Sequence, residues 1–386
     1  MARRMTILIG LVFAISLHAA MFVPLARAML TGDAPEDLKE KRTLAARPAL
    51  EWNIASIEAF PDAFEQYYDD HFGYRDVLVK YLAYFRLNFL GVSPKPKRVT
   101  LGKEGWLFFT QTLKESMPEG CPFGESHLEN LRMLFEEWHD RLAKQGIPYI
   151  LVVAPDKKDV YGEYLPRMYA KKAESGWQVD HFIAHMKQHS KVPLLDLAPV
   201  LRAQKGKGPL YFKTDTHWNS LGAFLAAQAI AAAIRDQVPS IGRPVDIREC
   251  TVSFRGAKGR DLASMLGLGD WILDRNLVSV TPPGGFQAKR AAADTAVPPQ
   301  RRPGQAPHKP IVMETPNEAL PRAVIFRDSF SNALFPYLSE HFSRSVYYWQ
   351  RHGQQDILGQ EKPDIVIHEI VAREIRRFCC FPDAAW

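Results

Sequence analysis

Short, wholly apolar runs separated by helix-length stretches constrain this chain more than any other feature. Tyr149-Ile150-Leu151-Val152-Val153-Ala154, Ala323-Val324-Ile325-Phe326 and Ile365-Val366-Ile367 are too short for helices and lack the alternation of a strand with one wet face. They read as parallel-type strands buried on both sides, joined by a shorter strand at 192–197. Helical periodicity fills the gaps at 125–144, 176–189 and 219–238, the last with Leu221, Phe224, Leu225 and Ile234 on one face. Strands alternating with helices predict an α/β, doubly wound, mainly parallel sheet flanked by helices. With 386 residues there is room for one large or two ordinary domains. At 46% hydrophobic and 24% charged residues, disordered, collagen-like and multispanning membrane chains are excluded.

The N-terminus is set apart. Arg3 and Arg4 precede an apolar run from Met5 to Leu25 broken only by Thr6, Ser16, His18 and Pro24, and Ala26-Arg27-Ala28 has the small-x-small pattern of a signal-peptidase site. Residues 1–28 are therefore a signal peptide or, being long enough to span, a single membrane anchor; both place the remainder outside the cytoplasm. Cys121, Cys250, Cys379 and Cys380 then permit up to two disulfides, in no pairing that sequence can choose. Adjacent Cys379 and Cys380 have no second pair or nearby histidine to complete a zinc spacing, so no metal is expected. Residues 29–98 read as a helical N-terminal extension, with Phe60, Phe64, Tyr67 and Tyr68 at helical spacing, and 99–386 as the main domain. Within it, 284–310 lacks periodicity and reads as a mobile basic surface insertion. The net charge of +6 divides into +3 from residues 1–28, +4 from 284–310 and −1 from everything else. A nearly neutral body with no basic stripe interleaved with aromatics argues against nucleic acid.

Two polar stretches lie where apolar strands meet helices. Lys213-Thr214-Asp215-Thr216-His217-Trp218-Asn219-Ser220 precedes the alanine-rich helix; in extended chain Asp215 and His217, two apart, face the same way, so the carboxylate can hold the imidazole Nδ1–H. Asn219 or Ser220 is a suitable N-cap. Arg327-Asp328-Ser329-Phe330-Ser331-Asn332 directly follows the 323–326 strand, and ligands of open α/β sheets bind at the carboxyl ends of strands. Ser329 there suits a nucleophile, and Pro336 must kink or end the helix after it.

Asp215-Thr216-His217-Trp218 together with Asp328-Ser329-Phe330 resembles the SGNH-hydrolase-like domain of the alginate O-acetyltransferases AlgJ and AlgX, in which a D-x-H pair lies upstream of a G-D-S motif. The likeness extends to residues 69–75, 102–109, 153–157 and to Pro363-Asp364-Ile365-Val366-Ile367 followed by Glu369 and Arg373. Arg327 stands where the motif has glycine. The resemblance implies Ser329 as nucleophile, His217 as general base and acid, and Asp215 as its orienting partner. Smaller roles fall to residues around the crevice: Trp218 as a sugar-stacking or buried ring, Lys157 and Tyr161 as lining, Asn332 as oxyanion donor or helix cap, Arg373 as substrate contact or as a structural partner of Glu369. The expected function is periplasmic O-acetylation of a polysaccharide without a cofactor, the acetyl group arriving from a membrane-bound O-acyltransferase partner at the inner membrane. A carbohydrate esterase with the same triad, and a non-catalytic polysaccharide-binding scaffold, are the alternatives.

Overall fold

The computed structural model describes residues 10–16, 18, 45–71, 75–114, 124–292, 308–349 and 355–378. Most of the expected leader, Cys121, Cys379, Cys380, residues 72–74 of the 69–75 motif and 293–307 of the expected insertion lie outside them. No helix among the described residues is long and apolar enough to cross a membrane. The chain divides into two compact units after Leu90, earlier than the expected boundary at 98. The first contains α1 (Ile54–His71) and α2 (Arg75–Asn88). In α1, Phe60, Phe64 and Tyr68 stack successively at 5.8 and 6.4 Å, the i, i+4 contacts their spacing predicts.

The second unit is built on a sheet of seven strands. In chain order the strands of this unit are β1 (Val99–Leu101) and β2 (Leu107–Phe109), which form a separate small ribbon, then β3 (Tyr149–Ala154) and β4 (Leu194–Asp196) of the main sheet. A hairpin follows, β5 (Thr251–Lys258) with β6 (Leu273–Thr281), and then β7 (Lys289–Ala291), β8 (Ile311–Glu314), β9 (Arg322–Phe326), β10 (Arg344–Tyr348) and β11 (Ile365–Val371). The main sheet has the order β4-β3-β11-β9-β10-β8-β7. Its first five strands are parallel, and β8 and β7 add an antiparallel edge. Every residue of β3 and β11 is buried, as befits central parallel strands; β3 is wholly apolar, whereas β11 carries His368 and Glu369 within its apolar run. On one side α3 (Glu125–Ala143) and α4 (Gln178–His189) supply Phe135, Trp138 and Phe182, with Phe135 and Trp138 meeting His368 and Phe326 of the sheet. A second group, α5 (Ser220–Ile234) and α6 (Ser331–Leu338), packs together through the perpendicular rings of Phe224 and Tyr337.

The structure departs from expectation in two places. The segment read as a mobile insertion begins with an edge strand: Lys289, Arg290 and Ala291 pair with Glu314, Met313 and Val312. Three residues, two of them charged, carry no periodic signal, and their pairing is imposed by the edge of β8. Strand β10 also escaped sequence reading because Arg344-Ser345-Val346-Tyr347-Tyr348 mixes polar and aromatic residues. Its Ser345 is fully buried, its Oγ satisfied by Ser339 at 3.0 Å.

Pro336 lies inside α6, which ends two residues later and passes into a single 3₁₀ turn. In α5, Gly222 admits the backbone of the preceding segment: a Cβ there would stand 2.3 Å from the Leu210 carbonyl oxygen. Helix propensity alone favours Gly222→Ala by about 1 kcal/mol. The close approach reverses that sign, and overpacking against fixed backbone costs about 1–3 kcal/mol. Thermal unfolding of Gly222→Ala is therefore expected a few degrees below wild type; an unchanged or raised Tm would show that the contact is not tight.

Candidate active site

Three strand ends converge at the carboxyl edge of the sheet. β9 delivers Arg327, Asp328 and Ser329, β3 delivers Asp156, and β11 delivers Arg373. The turn after β9 is tied down on both sides. Asp328, whose carboxyl is raised by burial, accepts the Phe330 N–H at 2.9 Å through Oδ1 and the Val371 N–H at 2.6 Å through Oδ2. Beneath it Glu369 Oε2 accepts the Ser331 hydroxyl at 2.8 Å and the Asp328 N–H at 3.3 Å. Burial, and next the charge of Asp328, push Glu369 well above the usual carboxylate range. The Ser329 backbone N–H finds no acceptor among the described residues, and it points from a turn fixed by its neighbours.

His217 reaches this turn from a loop 112 residues earlier, its Nε2 lying 2.8 Å from Ser329 Oγ. Its Nδ1 is 2.7 Å from Asp215 Oδ1, and the same oxygen accepts the His217 backbone N–H at 3.1 Å. The two side chains thus meet through an Asx-type turn, not through the extended chain the spacing suggested. A carboxylate only accepts, so Nδ1 carries the imidazole proton and Nε2 is left to accept from Ser329. Burial opposes ionisation of Asp215, but the bonds from His217 and from Arg260, whose Nε donates to Oδ2 at 2.9 Å, outweigh it and hold the carboxyl well below its usual value. Downstream, Asn219 caps α5, accepting the Leu221 and Gly222 N–H groups at 3.0 and 3.1 Å, which stops the helix short of His217.

The loop is held from outside by residues that sequence reasoning missed. Asp274, 1% exposed, accepts both the N–H and the hydroxyl of Thr214, at 2.8 and 2.7 Å. Asp261 does the same for Thr216, at 2.9 and 2.7 Å, and its own carboxyl is raised by burial and by the charge of Asp215. Arg260, Asp261 and Asp274 lie 45–60 residues from the loop they serve and belong to no motif, so no local signal could have found them. Asp215, His217 and Asp261 bring ligand-type atoms within 4.8 Å of one another. These are the groups a cation would use, but His217 Nδ1 is already committed to Asp215.

The residues expected to line the crevice separate into two kinds. Trp218, 1% exposed, is no sugar platform: its Nε1 donates to the Phe330 carbonyl at 3.0 Å, joining the histidine loop to the serine turn. Tyr161 is buried against Trp106 at 4.4 Å, and its hydroxyl accepts the Leu210 N–H at 2.9 Å. Lys157, 4% exposed, is turned inward under the loop. All three are core residues beside the site, because their apolar bodies complete its packing. Arg373 pairs with Asp156 and lies over the Phe330 ring at 5.0 Å; it does not pair with Glu369, which is occupied by Ser331. Asn332 stays exposed at the mouth, its Oδ1 accepting from Arg327 Nη1 at 2.7 Å, which turns its amide N–H₂ away from that contact. Arg327, in the glycine position of the motif, lies over the Trp349 ring at 4.6 Å. Cys250 has no disulfide partner among the described residues.

Because Asp215 titrates lower in the folded chain than in the unfolded one, its contribution to stability is present above the unfolded value of about 4 and is lost as pH falls below it. Asp215→Asn should therefore lower Tm at neutral pH, with the gap to wild type closing as pH is taken below about 4. A gap independent of pH would show that the charge of Asp215 does not stabilise the fold.

Residues 99–297 match the family model described as ALGX, the SGNH hydrolase-like domain of the acetyltransferase AlgX; the match includes Asp215 and His217 and ends before Ser329. The chain is 28% identical over 208 residues to the probable alginate O-acetylase AlgJ of Pseudomonas syringae pv. tomato, covering 53% of this chain and 50% of that protein. The probable alginate O-acetylase AlgJ of Pseudomonas aeruginosa is 30% identical over 198 residues, 48% of each chain. The chain thus spans about half the length of these curated relatives. Among solved structures, Bacillus cereus PatB1 superposes with a TM-score of 0.52 at 18% identity, over 72% of this chain and 97% of that one, a likeness of fold.

Proposed function

We propose that this chain, which belongs to the AlgX family of SGNH hydrolase-like acetyltransferase domains, transfers acetyl groups to hydroxyls of a polysaccharide through an acetyl-serine at Ser329. The observation that carries this reading is the continuous relay Asp215–His217–Ser329, with contacts of 2.7 and 2.8 Å. Ser329 Oγ attacks the acetyl carbonyl carbon while His217 Nε2 takes its proton. The oxygen of the tetrahedral intermediate is received by the Ser329 N–H and the Asn332 amide, and charge on the imidazolium is balanced by Asp215. As the intermediate collapses, the proton on Nε2 passes to the departing donor group, leaving acetyl-Ser329. A sugar hydroxyl then gives its proton to Nε2 and attacks the acetyl carbon, and the returning proton frees Ser329. Arg327 leaves this relay intact, since its guanidinium is directed to Asn332 and Trp349.

The site works in the periplasm on this reading, which the leader-like pattern of residues 1–28 supports. The acetyl donor is then a membrane-bound O-acyltransferase at the inner membrane, cytoplasmic acetyl carriers being out of reach. Support for the polysaccharide acceptor comes from the relatives named alginate O-acetylase.

Incubating the protein with p-nitrophenyl acetate and an oligosaccharide should give an acetyl adduct mapped to Ser329 and acetylated sugar. Ser329→Ala should lose both, by at least about a thousandfold in rate. Acetyl transfer undiminished in Ser329→Ala would remove the mechanism, and acetate release without acetylated sugar would make the protein an esterase.

A further inference from the structure

Lys157 opens the short helix Lys157–Val160 that follows β3, and its side chain runs inward, 4% exposed, to end beneath the catalytic loop. There Nζ donates to three carbonyl oxygens, Phe212 at 3.0 Å, Lys213 at 3.0 Å and Asp215 at 2.6 Å. An ammonium has three N–H donors, and here each has its own acceptor. The intervening Thr214 carbonyl turns the other way and is taken by the Leu262 and Ala263 N–H groups at 3.0 and 3.3 Å. A run of carbonyls aimed at one point is neither helix nor strand; their dipoles repel, and a cation at the focus is what makes the arrangement stable. Lys213 O has a second donor in the Leu107 N–H at 2.9 Å. Phe212 O and Asp215 O have only the ammonium among the hydrogen bonds of the described residues.

We propose that Lys157 is a positioning residue of the transfer reaction, its ammonium fixing the 212–215 backbone so that Asp215 and His217 are presented to Ser329. The inference rests on the acetyl-serine reading. The Asp215 carbonyl it grips belongs to the residue that orients His217, so a shift of that carbonyl moves the imidazole directly. A neutral amine has only two N–H groups for three carbonyls, so deprotonation releases one of them. Burial lowers the lysine to about 7, against the opposing charges of Asp261, Asp215 and Asp274. The other groups facing it are the rings of Trp106 and Phe108, 5.6 and 5.5 Å away, and the Lys213 ammonium, which shares the Trp106 ring at 5.7 Å. Because the protonated form is the clamping one, acylation of Ser329 falls as pH rises through this ionisation.

The test is the rate of Ser329 acylation by p-nitrophenyl acetate, with phenylmethylsulfonyl fluoride as a second probe, from about pH 5 to 9.5 on the full chain. Wild type should show an alkaline decline. Lys157→Met, close in shape and uncharged, should lower kcat by about thirtyfold or more with KM for the ester little changed, and should lose the alkaline decline. Lys157→Arg, which stays charged throughout this range, should recover part of kcat and show no decline. A wild-type rate that keeps rising to pH 9.5, or the same decline in Lys157→Arg as in wild type, overturns the proposal, and both remain readable if Lys157→Met fails to fold. Failure of wild type to acylate Ser329 at any pH would instead overturn the acetyl-serine reading itself.

Discussion

The hydrogen bond between Ser329 Oγ and His217 Nε2 joins two loops 112 residues apart, and much of the surrounding structure serves to keep its ends in place. Each end sits on irregular backbone, which must satisfy its polar groups without the ladder of a helix or sheet. On the serine side this is done from the neighbouring strand: Asp328 accepts from Val371, and Glu369 accepts from Ser331 and Asp328. Parallel pairing of β9 with β11 brings those partners to one level, so the Ser329 turn is anchored to the sheet below it. The histidine side is held by a few backbone N–H groups, from Leu107, Leu262 and Ala263, and by side chains, Asp274 at Thr214, Asp261 at Thr216 and the Lys157 ammonium at three carbonyls. Trp218 then ties the two sides together through the Phe330 carbonyl.

This division explains the unusual density of buried charge around the site. Asp156, Lys157, Asp215, Asp274, Arg327 and Glu369 are all buried. Buried charges are retained only where they are paired or hydrogen-bonded. Most of these are engaged with backbone, which converts their desolvation cost into a fixed loop geometry. Asp156 with Arg373 closes the gap between the ends of β3 and β11, and Arg373 supports the Phe330 ring next to Ser329. Electrostatics here chiefly sets positions. Asp215, the carboxylate that meets His217, is held ionised by His217 and Arg260 despite its burial.

Replacement of the motif glycine by Arg327 fits this frame. The residue sits at the end of β9, its N–H bonded to the Tyr348 carbonyl at 3.0 Å as a continuation of the parallel ladder. Its guanidinium fills the space beside β10, stacking on Trp349 and holding Asn332. An arginine is therefore accommodated by extending the strand geometry by one residue, without touching the Ser329–His217 contact.

How much of this was legible before folding depended on the range of the interaction. Fully apolar runs report burial on both faces, so β3, β9 and β11 and the helices between them could be read directly, and Asp215 with His217 could be paired because they are two residues apart. Ser329 could be placed at the carboxyl end of a strand. Beyond that, local pattern carries no information about long-range partners. Whether Lys157, Tyr161 and Trp218 face a substrate or the core, whether Arg373 pairs with Glu369 or Asp156, and which distant residues grip the histidine loop are set by where the chain returns in space. The amino-acid sequence by itself determined the α/β layering and put Asp215 within reach of His217, because hydrophobic periodicity and short spacings are local quantities. Only the tertiary structure decided which polar groups meet, because hydrogen bonds and ion pairs act over about 3 Å and can join residues far apart in the chain.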